Sequence, residues 1–197
     1  MEDTGILPIS GFDRKKMAGS ELVNFFREVR ERHRGVPVTF LCIGTDRSTG
    51  DALGPLVGSR LVEYGFSDVV GTLQYPCDAV NLETRTSEIP HGHIIIAIDA
   101  CLGLSGSVGW YLVSGQPLVP AQSVGRSLPA VGHYSLAAVV NVNGPKPYWT
   151  LQMTSLYQVM LMAEEIACSI TAGFKHDDME ENMEENMEEN MEENMVG

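Results

Sequence analysis

Two short, almost unbroken apolar runs constrain this chain most: Val36-Pro-Val-Thr-Phe-Leu-Cys-Ile43 and His93-Ile-Ile-Ile-Ala-Ile-Asp99. Neither approaches the roughly 20 residues needed to cross a bilayer. A strand that is apolar on both faces must be covered on both, as in the parallel sheets of α/β proteins. Each run then empties into a glycine-bearing loop that carries an aspartate. Asp51 lies in Gly44-Thr-Asp-Arg-Ser-Thr-Gly-Asp-Ala-Leu-Gly54, and Asp99 closes the second run. Ligands of open α/β sheets collect at the carboxyl ends of the strands. Two acids there suit the activation of water or the holding of a metal ion.

The rest of the chain alternates helix and strand. Ser20 is placed to cap a helix over 21–34, with Leu22, Phe25, Phe26 and Val29 on one face. Residues 36–43 form the first strand. A helix follows over 55–64, with Pro55 in its first turn and Gly65 at its exit. The pattern then predicts a strand at 69–74, a helical stretch at 78–86, and strands at 93–99 and 108–113. Gly115 to Gly132 is a long loop, of the kind that is functional or mobile in compact domains. A short helix over 134–142, a last strand over 148–153 and a final helix over 154–172 complete the reading. Leu156, Val159, Met160, Ala163 and Ile166 are assigned to the inward face of that helix. The expected fold class is α/β, a three-layer α/β/α sandwich around a central mixed, mostly parallel sheet. The expected organisation is a loose lead-in at 1–19, one domain at 20–174 and an acidic low-complexity tail at 175–197.

Charge is distributed unevenly. The formal net charge is −13, but ten of the 26 acids fall within 177–197, where Met-Glu-Glu-Asn repeats four times. The remaining 16 acids face 13 Lys and Arg, a net of −3. A near-neutral body with an acidic tail lacks the basic face of a nucleic-acid binder. The tail has the composition of a disordered segment. Cys42, Cys77, Cys101 and Cys168 are widely spaced with no C-x-x-C pair, so a zinc knot is not expected. The amino terminus lacks the profile of an export signal, and a cytoplasmic protein without membrane partners is expected.

Of the acids, Asp51 sits where a helix start favours a carboxylate through capping and the helix dipole. Asp99 borders the driest part of the chain, where its charge needs a partner or an opening to solvent. The Gly44–Gly54 loop has neither the lysine of a phosphate-binding loop nor a dinucleotide fingerprint. Asp46 is read as a solvated turn residue, and Arg47 and Arg126 as surface residues.

The string Gly44-Thr-Asp-Arg-Ser-Thr-Gly-Asp-Ala-Leu-Gly-Pro55, followed by Ile95-Ile-Ala-Ile-Asp-Ala100, resembles the core of the spore germination protease. It is most similar to the shorter YyaC-type sporulation proteins related to that enzyme. Ser127-Leu-Pro-Ala-Val-Gly132 and Val139-Val-Asn-Val142 add to the likeness, which spans roughly residues 36–170. Hydrogenase-maturation endopeptidases share the fold more remotely. The resemblance implies an endopeptidase acting in sporulation or germination, in the cytoplasm or forespore, on a protein or peptide substrate. It implies catalysis by Asp51 and Asp99. The hydrogenase-maturation relatives add a metal, and by analogy Asp51, Asp99 and His133 would hold a divalent ion here. Their loop opens Gly-Asn and carries two adjacent acids, whereas this one has Thr45 and the single Asp51. A non-catalytic sporulation factor that uses the fold to bind a protein partner is the alternative, and a homo-oligomer is left open.

Overall fold

The computed structural model describes residues 14–120 and 128–175. The elements, in chain order, are β1 (Lys15–Met17), α1 (Leu22–Arg32), β2 (Val38–Cys42), α2 (Leu53–Glu63) and β3 (Val69–Val70). They continue with α3 (Leu82–Ser87), β4 (Ile94–Gly103), β5 (Tyr111–Ser114), β6 (Tyr134–Val142), α4 (Pro147–Gln152) and α5 (156–175). The six strands form one sheet in the order β1-β5-β6-β4-β2-β3. Strands β3, β2, β4 and β6 are parallel, and β5 is antiparallel to both of its neighbours, β6 and β1. The expected α/β class with a mixed, mostly parallel sheet is what the chain adopts.

The two faces of the sheet are covered unequally. Alternation along β4 sends Ile94, Ile96 and Ile98 into the larger core, with Phe25 and Phe26 of α1, Val57 of α2 and Ile166 of α5. Each fully buried side chain of this kind contributes about 1.5–3 kcal/mol. The opposite face carries Leu41, Ala97 and Ala137. Among the described residues it is covered by Leu82 of α3 and by loop residues that include Cys77, Ile89, Leu118, Leu128 and Val131. The second helical layer is therefore thin, and Asp99 belongs to this lightly covered face by the same alternation.

Several elements differ from the sequence reading. Residues 134–142 are the strand β6 at the centre of the sheet, not a helix. Short apolar runs carry no decisive period, and Tyr134 to Val140 become strand because β4 and β5 flank them on both sides. Residues 148–153 belong to α4 rather than to a strand. Pro147 opens the helix, where its fixed φ and missing N–H are tolerated. β3 is only two residues long because Gly71 turns out of the strand at φ 95° and packs against Cys42.

Part of the expected lead-in, Lys15–Met17, is an edge strand paired with β5. Residues 1–13, 121–127 and 176–197 lie outside the described residues, so the expected tail, most of the lead-in and Arg126 do too. The base of the 115–132 loop is held by reciprocal Leu118 and Val131 main-chain bonds of 2.9 and 2.8 Å. Glu21, not Ser20, serves the start of the first helical segment, accepting from Ala18 N–H at 2.7 Å. On α5, Val159, Ala163 and Ile166 point inward as expected. Leu156 and Met160 point out, because Met162, Ala167 and Ile170 share the buried stripe instead.

Candidate active site

β4 does not end at Asp99. It continues four residues further, to Gly103, while parallel β2 stops at Cys42, opposite Ile98. Asp99 thus stands on a strand that overshoots its neighbour. The chain leaving β2 fills the space beyond it. A 3₁₀ turn at Gly50–Ala52 carries Asp51 and leads directly into α2. Two glycines permit that tight return. A Cβ on Gly54 would sit 2.0 Å from the Ile43 carbonyl oxygen, and one on Gly44 would sit 2.0 Å from the Asp51 carbonyl oxygen. Gly44 also has φ 147°, which other residues adopt only with strain. The bond from Thr45 N–H to the Asp51 carbonyl, 3.1 Å, closes the loop.

Asp51 and Asp99 line one cavity of about 360 Å³. Burial pushes the Asp51 carboxyl above the usual carboxylate range, opposed by the neighbouring Ser48 hydroxyl. Asp99 is pushed up to about 8, first by burial and then by the charge of Asp51, against a hydrogen bond from Ala100 N–H. That bond, to Asp99 Oδ1, is 2.8 Å. The two carboxyls are therefore close enough to govern one another's ionisation, as expected for acids that share a site. Burial and the charge of Asp51 thus both favour the protonated form of Asp99. Such a pair supplies a base and an acid side by side.

Other groups frame the cavity. Arg47 does not neutralise the pair; its guanidinium bonds Asp78 Oδ2 at 2.6 Å on the rim. Asp46 is exposed, as expected of a turn residue. Ser48 is 6% exposed, and its Oγ has no well-formed hydrogen bond among the described residues. Sequence reading missed Asp78 and Ser48. Asp78 had a signal, since its Oδ1 accepts from Val80 N–H and its own N–H donates to Asn81, a turn encoded by Asp-Ala-Val-Asn. A second cavity of about 570 Å³ opens on the other side of Asp99 and Ala100, with Arg14, Ser135 and Asn143 among its walls.

His133 is not brought to the pair. Its N–H donates to the Ile95 carbonyl at 2.8 Å, and its Nδ1 accepts from Ile95 N–H at 2.9 Å. It precedes β6 by one residue and lies four residues before Ala137, the residue paired with Asp99. That separation is roughly 13 Å along parallel strands. His133 therefore marks the amino end of the sheet, where burial holds its imidazole below the usual range. The Asp51–Asp99–His133 metal set does not assemble, and the site does not fit the three-ligand centre the resemblance implied. Among the described residues no group of three or more His, Cys, Asp or Glu side chains is placed to hold a metal ion.

The fold and site define an α/β protein with two aspartates lining one cavity at the carboxyl edge of its parallel strands. Residues 12–169 match the family described as "Protein of unknown function (DUF1256)", and the chain belongs to that family. It is 44% identical over 138 residues to "Uncharacterized protein YyaC" of Bacillus subtilis (strain 168), covering 68% of this chain and 67% of that protein. The expected YyaC-type kinship is thereby shown. Among solved structures, the chain is similar to the [NiFe] hydrogenase maturation protease HycI from Thermococcus kodakarensis KOD1. That likeness has a TM-score of 0.49 at 17% identity, over 75% of this chain and 99% of the other. No helix among the described residues is long and apolar enough to cross a membrane.

Proposed function

We propose that this protein is an endopeptidase of sporulating or germinating cells, with Asp51 and Asp99 as its acid–base pair. The observation that carries this reading is their convergence in one cavity with both carboxyls raised, Asp99 to about 8. Perturbed acids in a cleft are the usual mark of catalytic groups. The ionised Asp51 takes a proton from water as the water oxygen attacks a peptide carbonyl carbon. The protonated Asp99 gives its proton to the carbonyl oxygen. Collapse of the tetrahedral adduct breaks the C–N bond as the proton held by Asp51 passes to the leaving amine and one hydroxyl of the adduct returns its proton to Asp99. A carboxyl and an amine product result, and the proton count closes without a metal. The sporulation setting, a protein or peptide substrate, and a cytoplasmic or forespore location rest on the resemblance to the germination protease.

The test is incubation of the purified protein with small acid-soluble spore proteins and a forespore extract, with products read by mass spectrometry. Cleavage by wild type that disappears in Asp51→Asn and Asp99→Asn supports the proposal. Identical products from all three, or none, overturn it.

One observation favours the binding-factor alternative. Tyr148, Trp149, Met153, Leu156 and Tyr157 are each at least half exposed, and form an apolar stretch along α4 and the start of α5. Exposed apolar patches of that kind mark interaction surfaces. Spore formation that depends on this stretch but tolerates both aspartate variants would establish it.

A further inference from the structure

The lightly covered face of the sheet carries a trench that leads away from Asp99, across β6 and β5, to the edge strand β1. Asp99 pairs with Ala137 of β6, and Ala137 with Leu112 of β5. One step back on the same face, Ala97 pairs with Ser135, and Ser135 with Ser114. Residues paired across a ladder stand on the same face of the sheet. The pairing of Lys15 with Val113 then sets Arg14, one residue before β1, level with Ser114 and on that face.

The cavity of about 570 Å³ follows this line, and Asp99, Ala137, Ser135, Leu112 and Arg14 are all among its walls. Its volume is that of a ligand pocket. The space exists because β6 offers it only the small side chains of Ser135 and Ala137. Loop residues Pro117, Leu118 and Val119 line it as well, and the main-chain bonds of Leu118 with Val131 hold that part of the loop in place.

The two ends of the trench differ in charge. One end is Asp99, which also lines the smaller cavity with Asp51. The other end is the Arg14 guanidinium. It reaches inward, since it lowers the Cys101 thiol, which burial and then the charge of Asp99 push up to about 12. Arg32, Arg47, Arg60 and Arg85 each hold an acid. Arg14 has no such partner among the described residues. Its planar fork of donors is matched to a carboxylate.

Three strand spacings separate β4 from β1, about 14 Å, and an extended chain rises about 3.3 Å per residue. The guanidinium spans part of that distance itself. We propose that Arg14 binds a carboxylate of the peptide substrate, about two to four residues from the bond that is cut, with the intervening residues lying in the trench. This rests on the reading of the Asp51–Asp99 cleft as a peptide site. The carboxylate belongs to an Asp or Glu side chain or to the end of the substrate chain. Leu112 and Ala137 beneath the intervening residues favour small or apolar side chains there.

Two random dodecapeptide libraries test this, one with free carboxyl termini and one amidated. Each is incubated with wild type, Arg14→Gln and Arg14→Glu, and the cut sites are read by mass spectrometry. Arg14 is exposed, so neither substitution disturbs the core, and equal melting temperatures check this. If nothing is cut, the peptides retained by Asp51→Asn protein and by the Asp51→Asn, Arg14→Glu double variant are sequenced instead. Wild type is expected to favour a carboxylate at one fixed position by about tenfold or more, the worth of hydrogen bonds to a charged group. Arg14→Gln loses that preference, and Arg14→Glu turns it to Lys or Arg at the same position. A preference that persists in the amidated library comes from a side chain, and one confined to the free acids comes from the chain end. The same profile from all three proteins, or no fixed acidic position, overturns the assignment. If wild type still cuts and needs both aspartates, the peptidase reading survives that result. Retention that Arg14→Glu inverts, without any hydrolysis, keeps the trench and removes the peptidase. Neither retention nor cleavage removes both.

Discussion

The two ends of the central strands handle buried polar groups in opposite ways. At the amino end, His133 accepts from Ile95 N–H, His33 Nε2 lies 2.9 Å from the Tyr134 hydroxyl, and His93 Nδ1 lies 2.9 Å from Thr39 Oγ1. Each ring has a partner within the protein, and the cluster closes that edge. At the carboxyl end, two acids face one another across a cavity, and burial and mutual repulsion raise Asp99 to about 8. A buried group that is satisfied stabilises the fold. A buried group that is opposed by its neighbour is held ready for proton transfer. β4 thus carries a satisfied end and, at Asp99, an end that bears a raised carboxyl.

The largest expected effect sharpens that contrast. Asp51→Asn or Asp99→Asn lowers peptide hydrolysis by about 10²–10⁴-fold, the usual worth of a positioned acid or base. His133→Ala changes it by only a few fold. A steady-state assay on one peptide compares all three. Equal losses at both ends would erase the distinction.

Gly54→Ala attacks the reactive end through the backbone. The new Cβ would lie 2.0 Å from the Ile43 carbonyl oxygen, so the turn that carries Asp51 must shift. A loss of about 1–3 kcal/mol in denaturant unfolding is expected, together with a fall in activity larger than that of His133→Ala.

Protonation gives a third comparison. Asp99 is raised from 3.8 to about 8 in the folded protein. The native state therefore binds more protons than the unfolded chain between those values, and stability falls as pH rises through that window. Below it the contribution is fully present. Asp99→Asn removes this dependence, so unfolding curves of wild type and variant should diverge most steeply between pH 4 and 8. Hydrolysis falls on the alkaline side as Asp99 loses its proton near pH 8, and on the acid side once both carboxyls are protonated.

His133→Ala leaves Ile95 N–H without its side-chain acceptor and costs about 1 kcal/mol of stability. The smallest effect concerns metal. Treatment with a chelator leaves hydrolysis within about twofold, because His133 is absent from the site and the pair itself supplies the base and acid. Recovery of lost activity by a divalent ion would break that account.

The local signals of the sequence were strongest where chemistry and fold coincide. Asp51 and Asp99 were legible because each follows a buried apolar run through a glycine-bearing segment. His133 was legible only by analogy, and the register of β6 places it at the far end of the sheet. Asp78 and Ser48 gave weaker signals, since turn residues of those types occur throughout any chain.

By itself the sequence determined the α/β class, the buried strands β2 and β4 and the glycines that let the Asp51 turn close. Those features are local, set by apolar continuity and by the absence of a Cβ. Tertiary structure alone decided that Tyr134–Val142 is a strand and Pro147–Gln152 a helix. It also decided how far β4 outruns β2. Those outcomes depend on which strands lie alongside and where each stops, and pairing partners distant in the chain leave no periodic trace in it.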